Sequence, residues 1–170
     1  MTAILTSRFD NSTWEENRNF REKNNCTGCV YSSPQQITEK IPLNSLLFIV
    51  EMNNSTNKIE GIGLIRNMRN FEKKMRIYQT GNFNRYNYQG KYRLDRSTME
   101  IACPQIIKIL EQIVFTGKTH LKRGAGLTRI TEKLYIHHKI LEIYNYTESQ
   151  IKIELSELFK RTFSEESMEI

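Results

Sequence analysis

An α+β domain, a small curved sheet or barrel of five to six strands flanked by about three helices, is what the sequence predicts. Three observations carry this. Two continuous apolar runs, Leu46 to Val50 and Ile59 to Ile65, flank the turn-rich Asn53-Asn54-Ser55-Thr56-Asn57, the pattern of a hairpin. Apolar residues recur at helical spacing in two later segments. At 170 residues the chain has the length of one domain able to bury a core without disulfides or metals.

Taken in order, Asn11-Ser12-Thr13 precedes a helix over Trp14 to Lys23, with Thr13 as cap and Glu16 completing a capping box. Cys29-Val30-Tyr31 reads as a short strand stopped by Ser32-Ser33-Pro34. In the hairpin, Gly61 and Gly63 lie two apart on one face, leaving it bare for another element to approach. Strands are expected near Arg76 to Gln79, Tyr86 to Tyr88 and Lys91 to Asp95, the last two joined at Gln89-Gly90. Beyond Pro104, Ile106, Ile109, Leu110 and Ile113 mark a helix, followed by a loop from Thr116 to Gly126. Residues 131–144 fit strand or helix equally. Thr147-Glu148-Ser149-Gln150 is a capping-box pattern ahead of Ile151, Leu155, Leu158, Phe159 and Thr162, one face of a terminal helix, with 146–170 as terminal helix and tail of the single domain.

The net charge of +6 is unevenly spread: residues 66–133 hold 15 Lys and Arg against 5 Asp and Glu, whereas both flanks are mildly acidic. Within the basic part, Phe83, Arg85, Tyr86, Tyr88, Lys91, Tyr92, Arg93 and Arg96 interleave aromatics with cations. Cations attract phosphates and aromatic faces stack on bases, so RNA or single-stranded nucleic acid is the expected partner. No stretch approaches the ~18 apolar residues of a membrane span. Met1-Thr2-Ala3-Ile4-Leu5 lacks the charged and apolar regions of a secretory leader. A soluble, intracellular protein with no membrane partner and three reduced thiols is expected.

Cys26-Thr27-Gly28-Cys29 supplies two of the four ligands a structural zinc needs, and the rest would have to come from distant Cys103, His120, His137 or His138, so no metal is assigned. Thr116-Gly117-Lys118-Thr119 contains a Gly-Lys-Thr triplet, but Gln112 stands where a phosphate loop requires its first Gly. The surrounding loop still places Lys118, His120, Lys122 and Arg123 between glycines whose backbone N–H groups a phosphate could approach. No nucleophile-elbow serine is present, and no catalytic residue or cofactor is assigned.

Laid end to end, Gly28-Cys29-Val30-Tyr31-Ser32-Ser33-Pro34, then Leu47-Phe48-Ile49-Val50, Ile59-Glu60-Gly61-Ile62-Gly63, Tyr88-Gln89-Gly90-Lys91-Tyr92-Arg93-Leu94 and the basic loop Phe115 to Arg129 resemble the YTH and EVE domains of the PUA-like superfamily. The resemblance covers residues 8–130 in order and implies an RNA-binding barrel that holds a modified base between aromatic faces. On it, Tyr31 is one wall, Ser32 reads the base edge, and Tyr88 or Tyr86 is the second wall. Arg85, Lys91, Arg93, Lys118, His120, Lys122 and Arg123 would grip the backbone. The family's walls are mostly Trp, whereas the sole Trp here is Trp14, so base stacking is expected rather than methyl-specific reading. The related ASCH domains include enzymes, and on that alternative Lys118, Thr119, His120 and Glu51 would share a cleft. A third reading is an interaction protein whose basic surface meets an acidic partner. The Cys-Val-Tyr-Ser-Ser-Pro and Lys-Thr-His-Leu-Lys-Arg-Gly stretches also resemble uncharacterised proteins of large DNA viruses, which would imply the cytoplasm.

Overall fold

The computed structural model describes residues 1–71 and 74–163. Its first element is β1 (Thr2–Phe9), and a helix α1 (Asn11–Lys23) follows at once. The cap of α1 is Asp10 rather than Thr13: the Asp10 carboxylate accepts from the Thr13 N–H at 2.8 Å while Thr13 Oγ1 accepts from the Asp10 N–H at 3.0 Å. An aspartate three residues earlier satisfies the same free amides, so the helix begins at Asn11. Next come β2 (Cys29–Ser33), then β3 (Leu46–Asn53) and β4 (Lys58–Arg66), the hairpin the apolar runs predict.

Arg76 to Gln79 is not a strand. Asn84 Oδ1 accepts from the Ile77 and Tyr78 amides, both at 2.9 Å, and Asn84 Nδ2 donates to Tyr78 O at 2.7 Å. These bonds fold 77–84 onto itself and end it in a 3₁₀ turn, Gly81–Asn84. Then follow β5 (Tyr86–Gly90) and β6 (Tyr92–Asp95), α2 (Arg96–Ala102), α3 (Pro104–Phe115) and β7 (Thr128–Arg129). The ambiguous 131–144 forms two short helices, α4 (Glu132–His137) and α5 (Ile140–Tyr144), and the chain continues into α6 (Glu148–Phe163). Residues 164–170 of the expected tail lie outside the described residues. The Thr147 cap of α6 is present: Gln150 N–H donates to Thr147 Oγ1 at 3.2 Å, and Thr147 N–H donates to Gln150 Oε1 at 2.8 Å.

The architecture is α+β. Five strands form a mixed sheet in the order β6-β4-β3-β1-β7, with β1 parallel to β3 and the other pairs antiparallel. A separate two-stranded sheet pairs β2 with β5. Although β5 and β6 are consecutive, they belong to different sheets, and the strand ladder is not closed into a barrel.

Both faces of the five-stranded sheet are covered. On one, Ile4, Phe48, Val50, Ile62 and Leu64 pack on α3 and α6 through Ile109, Ile113, Leu155 and Phe159. On the other, Leu5, Leu47, Ile49 and Ile65 pack on Val30, Tyr31 and Tyr88 of the small sheet. Being buried on both faces, β3 reads as a continuous apolar run rather than as an alternating one, whereas β1 is apolar only over Ala3 to Leu5 before Thr6-Ser7-Arg8. The bare face of β4 is where the second sheet comes closest. A Cβ at Gly63 would overlap the Tyr31 hydroxyl, and one at Gly61 would stand 2.6 Å from Arg93 Nη2. No helix among the described residues is long and apolar enough to cross a membrane.

Candidate functional site

β1 ends beside the loop that connects α3 to β7, and one side chain ties the two together. Arg8 donates to Gly124 O at 3.1 Å, Gly126 O at 2.9 Å, Leu121 O at 3.3 Å and Thr128 Oγ1 at 3.0 and 3.1 Å. Gly124 and Gly126 have φ of +100° and +80°, a backbone that side-chain-bearing residues seldom adopt, and both carbonyls reach the guanidinium from it. From the opposite side the hairpin turn holds the same loop, through Asn54 Nδ2 donating to Lys122 O at 3.0 Å.

Between these parts lies a cleft of about 240 Å³. Arg8 and Phe9 line one side, Ser32, Ser33 and Pro34 a second, Tyr78 and Phe83 a third, and Lys122 with Gly124 to Gly126 the mouth. It is smaller than a typical drug-sized site. The folding of 77–84 around Asn84 is what presents Phe83, which remains 39% exposed. Tyr78 is buried, and its hydroxyl accepts from Asn17 Nδ2 at 3.1 Å.

The cleft is electropositive for a definable reason. Among the described residues every acceptor on Arg8 is a carbonyl or a hydroxyl, so none of them neutralises its charge. Burial lowers its pKa below the ordinary guanidinium value, and a guanidinium stays charged even so. Lys122 lines the cleft and Arg123 follows it on the exposed loop, and neither pairs with a carboxylate among the described residues. The one carboxylate lining the cleft, Asp10, is held by the α1 amide of Thr13. Asn54 Oδ1 is buried there without a hydrogen-bond partner.

Arg93 shows the contrasting arrangement. Glu51, 1% exposed, accepts from Tyr31 OH at 2.7 Å and from Arg93 Nε and Nη2 at 2.7 to 3.1 Å, while Arg93 Nη1 donates to Asp95 at 3.0 Å. Burial alone would lower the Arg93 pKa, but the charge and hydrogen bonds of Glu51 outweigh it and raise the pKa. The guanidinium carbons of Arg93 and Arg21 each lie 5.3 Å from the centroid of the half-buried Trp14 ring.

These positions correct several expectations. Tyr31 and Tyr88 are each 1% exposed, one hydroxyl bound to Glu51 and the other accepting from the Ile37 amide at 3.0 Å, so neither ring offers a face to a base. A strand aromatic turned toward a second sheet is core. Arg93 is not available to phosphate, because its donors are taken by Glu51, Asp95 and Glu60 O. Ser32 does line the cleft, with its hydroxyl on Asn87 Oδ1, as does Lys122. Exposed Arg85 follows the 3₁₀ turn and Tyr86 begins β5, both outside the cleft, and exposed Lys91 stands at the β5–β6 turn.

Lys118 and Arg123 are exposed on the loop, and His120 Nδ1 accepts from the Lys122 amide at 3.2 Å. Thr119 Oγ1 and His138 Nε2 stand 3.3 Å apart. No hydrogen bond or ion pair links Lys118, Thr119 or His120 to Glu51 among the described residues, and the four do not share a cleft. Nor do three or more His, Cys, Asp or Glu side chains group as a metal site there. Among the cleft residues that the sequence left unmarked are Arg8, Phe9 and Tyr78. Arg8 stands between Thr6-Ser7 and Phe9-Asp10, a mixed polar stretch that carries no pattern pointing to a site. No family model, curated protein or solved structure matches the chain.

Proposed function

We propose that the protein binds RNA or another single-stranded nucleic acid, admitting one base to the cleft between β1, β2 and the 116–126 loop. The observation that carries this reading is the Arg8 guanidinium, charged and without a carboxylate partner among the described residues, in one cleft with Phe9 and Phe83. In this arrangement the base lies against Phe83, Ser32 and the exposed backbone meet its edge, and Lys122 with Arg123 meets the phosphates. The kinship with PUA-like YTH and EVE domains belongs to the same proposal. It is supported by the order of the Ser-Ser-Pro strand end, the hairpin with its paired glycines and the basic loop. So do the reading of a modified base and an intracellular setting, which the three free thiols suit.

Fluorescence anisotropy with labelled RNA and DNA oligonucleotides, methylated and unmodified, tests the proposal at low and physiological salt. Affinity is expected to fall with salt by about 0.7 log units per log unit for each phosphate neutralised. Phe83→Ala is expected to reduce discrimination among bases, and Lys122→Ala to weaken all ligands alike. An affinity independent of salt overturns the reading.

A further inference from the structure

The cleft is one end of a longer feature. Phe83 at its mouth lies 6.3 Å, centroid to centroid, from Tyr78 within it. Two residues on, the Arg85 guanidinium sits 5.2 Å from the Tyr86 ring centroid, and that ring is also approached by Arg69 at 5.4 Å. Arg69 in turn lies 4.6 Å from the ring of Phe71. Arg85, Tyr86, Arg69 and Phe71 therefore form a row in which guanidiniums and rings alternate, two residues along the chain from Phe83 and ending in a Phe that is 78% exposed. Tyr86 is the cross-strand partner of Ser33, which lines the cleft, so cleft and row are joined through the β2–β5 ladder. Neither Arg69 nor Arg85 pairs with a carboxylate among the described residues.

Burying Phe71 against Arg69 alone leaves most of an apolar ring in water, which a folded surface gains nothing by doing. A guanidinium lying over an aromatic ring carries a positive charge that attracts phosphate, while the open ring faces accept a base. Resting on the cleft reading, we infer that this row is the track for the nucleotides that flank the inserted base, and that it makes the protein a reader of single strands several nucleotides long. The bases of a duplex are stacked on each other and cannot lie on the row, so the geometry selects against paired nucleic acid.

Anisotropy with labelled oligouridylate of twelve and of three nucleotides, and with a twelve-base-pair RNA duplex, reads the track separately from the cleft. The 12-mer is expected to bind more tightly than the trimer and the duplex. Phe71→Ala at an exposed position and Arg69→Gln at a half-buried one are each expected to weaken the 12-mer about fivefold or more while leaving the trimer unchanged. Lys122→Ala, at the cleft mouth, is expected to weaken both probes. Unchanged 12-mer affinity in both track variants, equal losses on trimer and 12-mer, or competition by polyglutamate as effective as by unlabelled 12-mer, overturns the track. If Lys122→Ala is silent on both probes while the track variants weaken the 12-mer, the row stands as a binding surface and the cleft reading fails.

Discussion

Arg93 Nη2 lies 2.7 Å from Glu51 Oε2, with the arginine side chain 8% exposed and the glutamate 1%. Tyr31 donates to the other carboxylate oxygen, so Glu51 joins the small sheet to the large one at the bare face of β4. Breaking a buried pair from one side leaves the remaining charge desolvated, at a cost of about 3–5 kcal/mol. Glu51→Gln is therefore expected to lower the urea-unfolding free energy by about that amount. A paired Glu51→Leu and Arg93→Met replacement should recover much of the loss. A Glu51→Gln protein within about 1 kcal/mol of the native one would show that Asp95 and solvent suffice to hold Arg93.

The same interface carries the alkaline limit of stability. Burial first, then the Glu51 charge, pushes the Cys29 thiol up to about 12 from its ordinary 9.0, and burial raises Tyr31 well above the ordinary phenol value. A group whose folded pKa exceeds its unfolded one holds its proton more tightly when folded. Its stabilisation is complete below the unfolded pKa and is lost as pH rises through the folded one. The urea midpoint is expected to decline steadily from about pH 9 towards 12, and Cys29 to resist an aromatic disulfide reagent at pH 8 until the chain unfolds. A flat midpoint across that range, or rapid labelling of Cys29 in the native protein, would contradict this.

What the sequence discloses here divides along the range of the interactions. The hairpin, α3 and the Thr147 cap were legible because each is written in neighbouring residues: turn asparagines, a helical apolar period, a box of four. β1 is not legible although Ala3, Ile4 and Leu5 are wholly buried, because its apolar stretch is only these three residues and Thr6-Ser7-Arg8 follows, neither a run like β3 nor an alternation. The same limit governs the site. Ser32 and Lys122 were marked and do meet at the cleft, yet Tyr31 and Tyr88 look identical to ligand-facing aromatics until the second sheet is seen to cover them. Arg93 looked like a phosphate contact because its carboxylate is 42 residues away. Consecutive β5 and β6 suggested a hairpin, and only tertiary packing sends them to different sheets.

Gly63 tests how close the sheets are. A Cβ there would overlap the Tyr31 hydroxyl and stand 2.6 Å from Cys29 Sγ, both of them interior groups with little room to move. Gly63→Ala is expected to cost about 1–3 kcal/mol through overpacking. Tyr31→Phe removes one of the obstructing atoms while depriving Glu51 of a donor. The two substitutions should therefore couple, the double variant losing less than the sum of the singles. Strict additivity in chemical denaturation would mean that the sheets separate to admit the methyl.

Arg8 is the residue on which cleft and loop both depend. Its planar fork reaches three backbone carbonyls and Thr128 Oγ1 across 2.9 to 3.3 Å, a set that a single ammonium cannot match. Lysine keeps the charge but not the fork, so Arg8→Lys separates electrostatics from architecture. If Arg8 acts chiefly by shaping the loop, Arg8→Lys and Arg8→Ala should accelerate amide exchange across 121–126 to a similar extent and weaken oligonucleotide binding together. If its charge dominates, Arg8→Lys should retain most of the affinity. The positive φ of Gly124 and Gly126 favours the first outcome, because that backbone conformation is held in place by the carbonyl bonds to Arg8 and a loosened loop would scatter Lys122 and Arg123. Affinity kept by Arg8→Lys despite fast exchange at 121–126 would show instead that the cleft needs a cation and not an ordered loop.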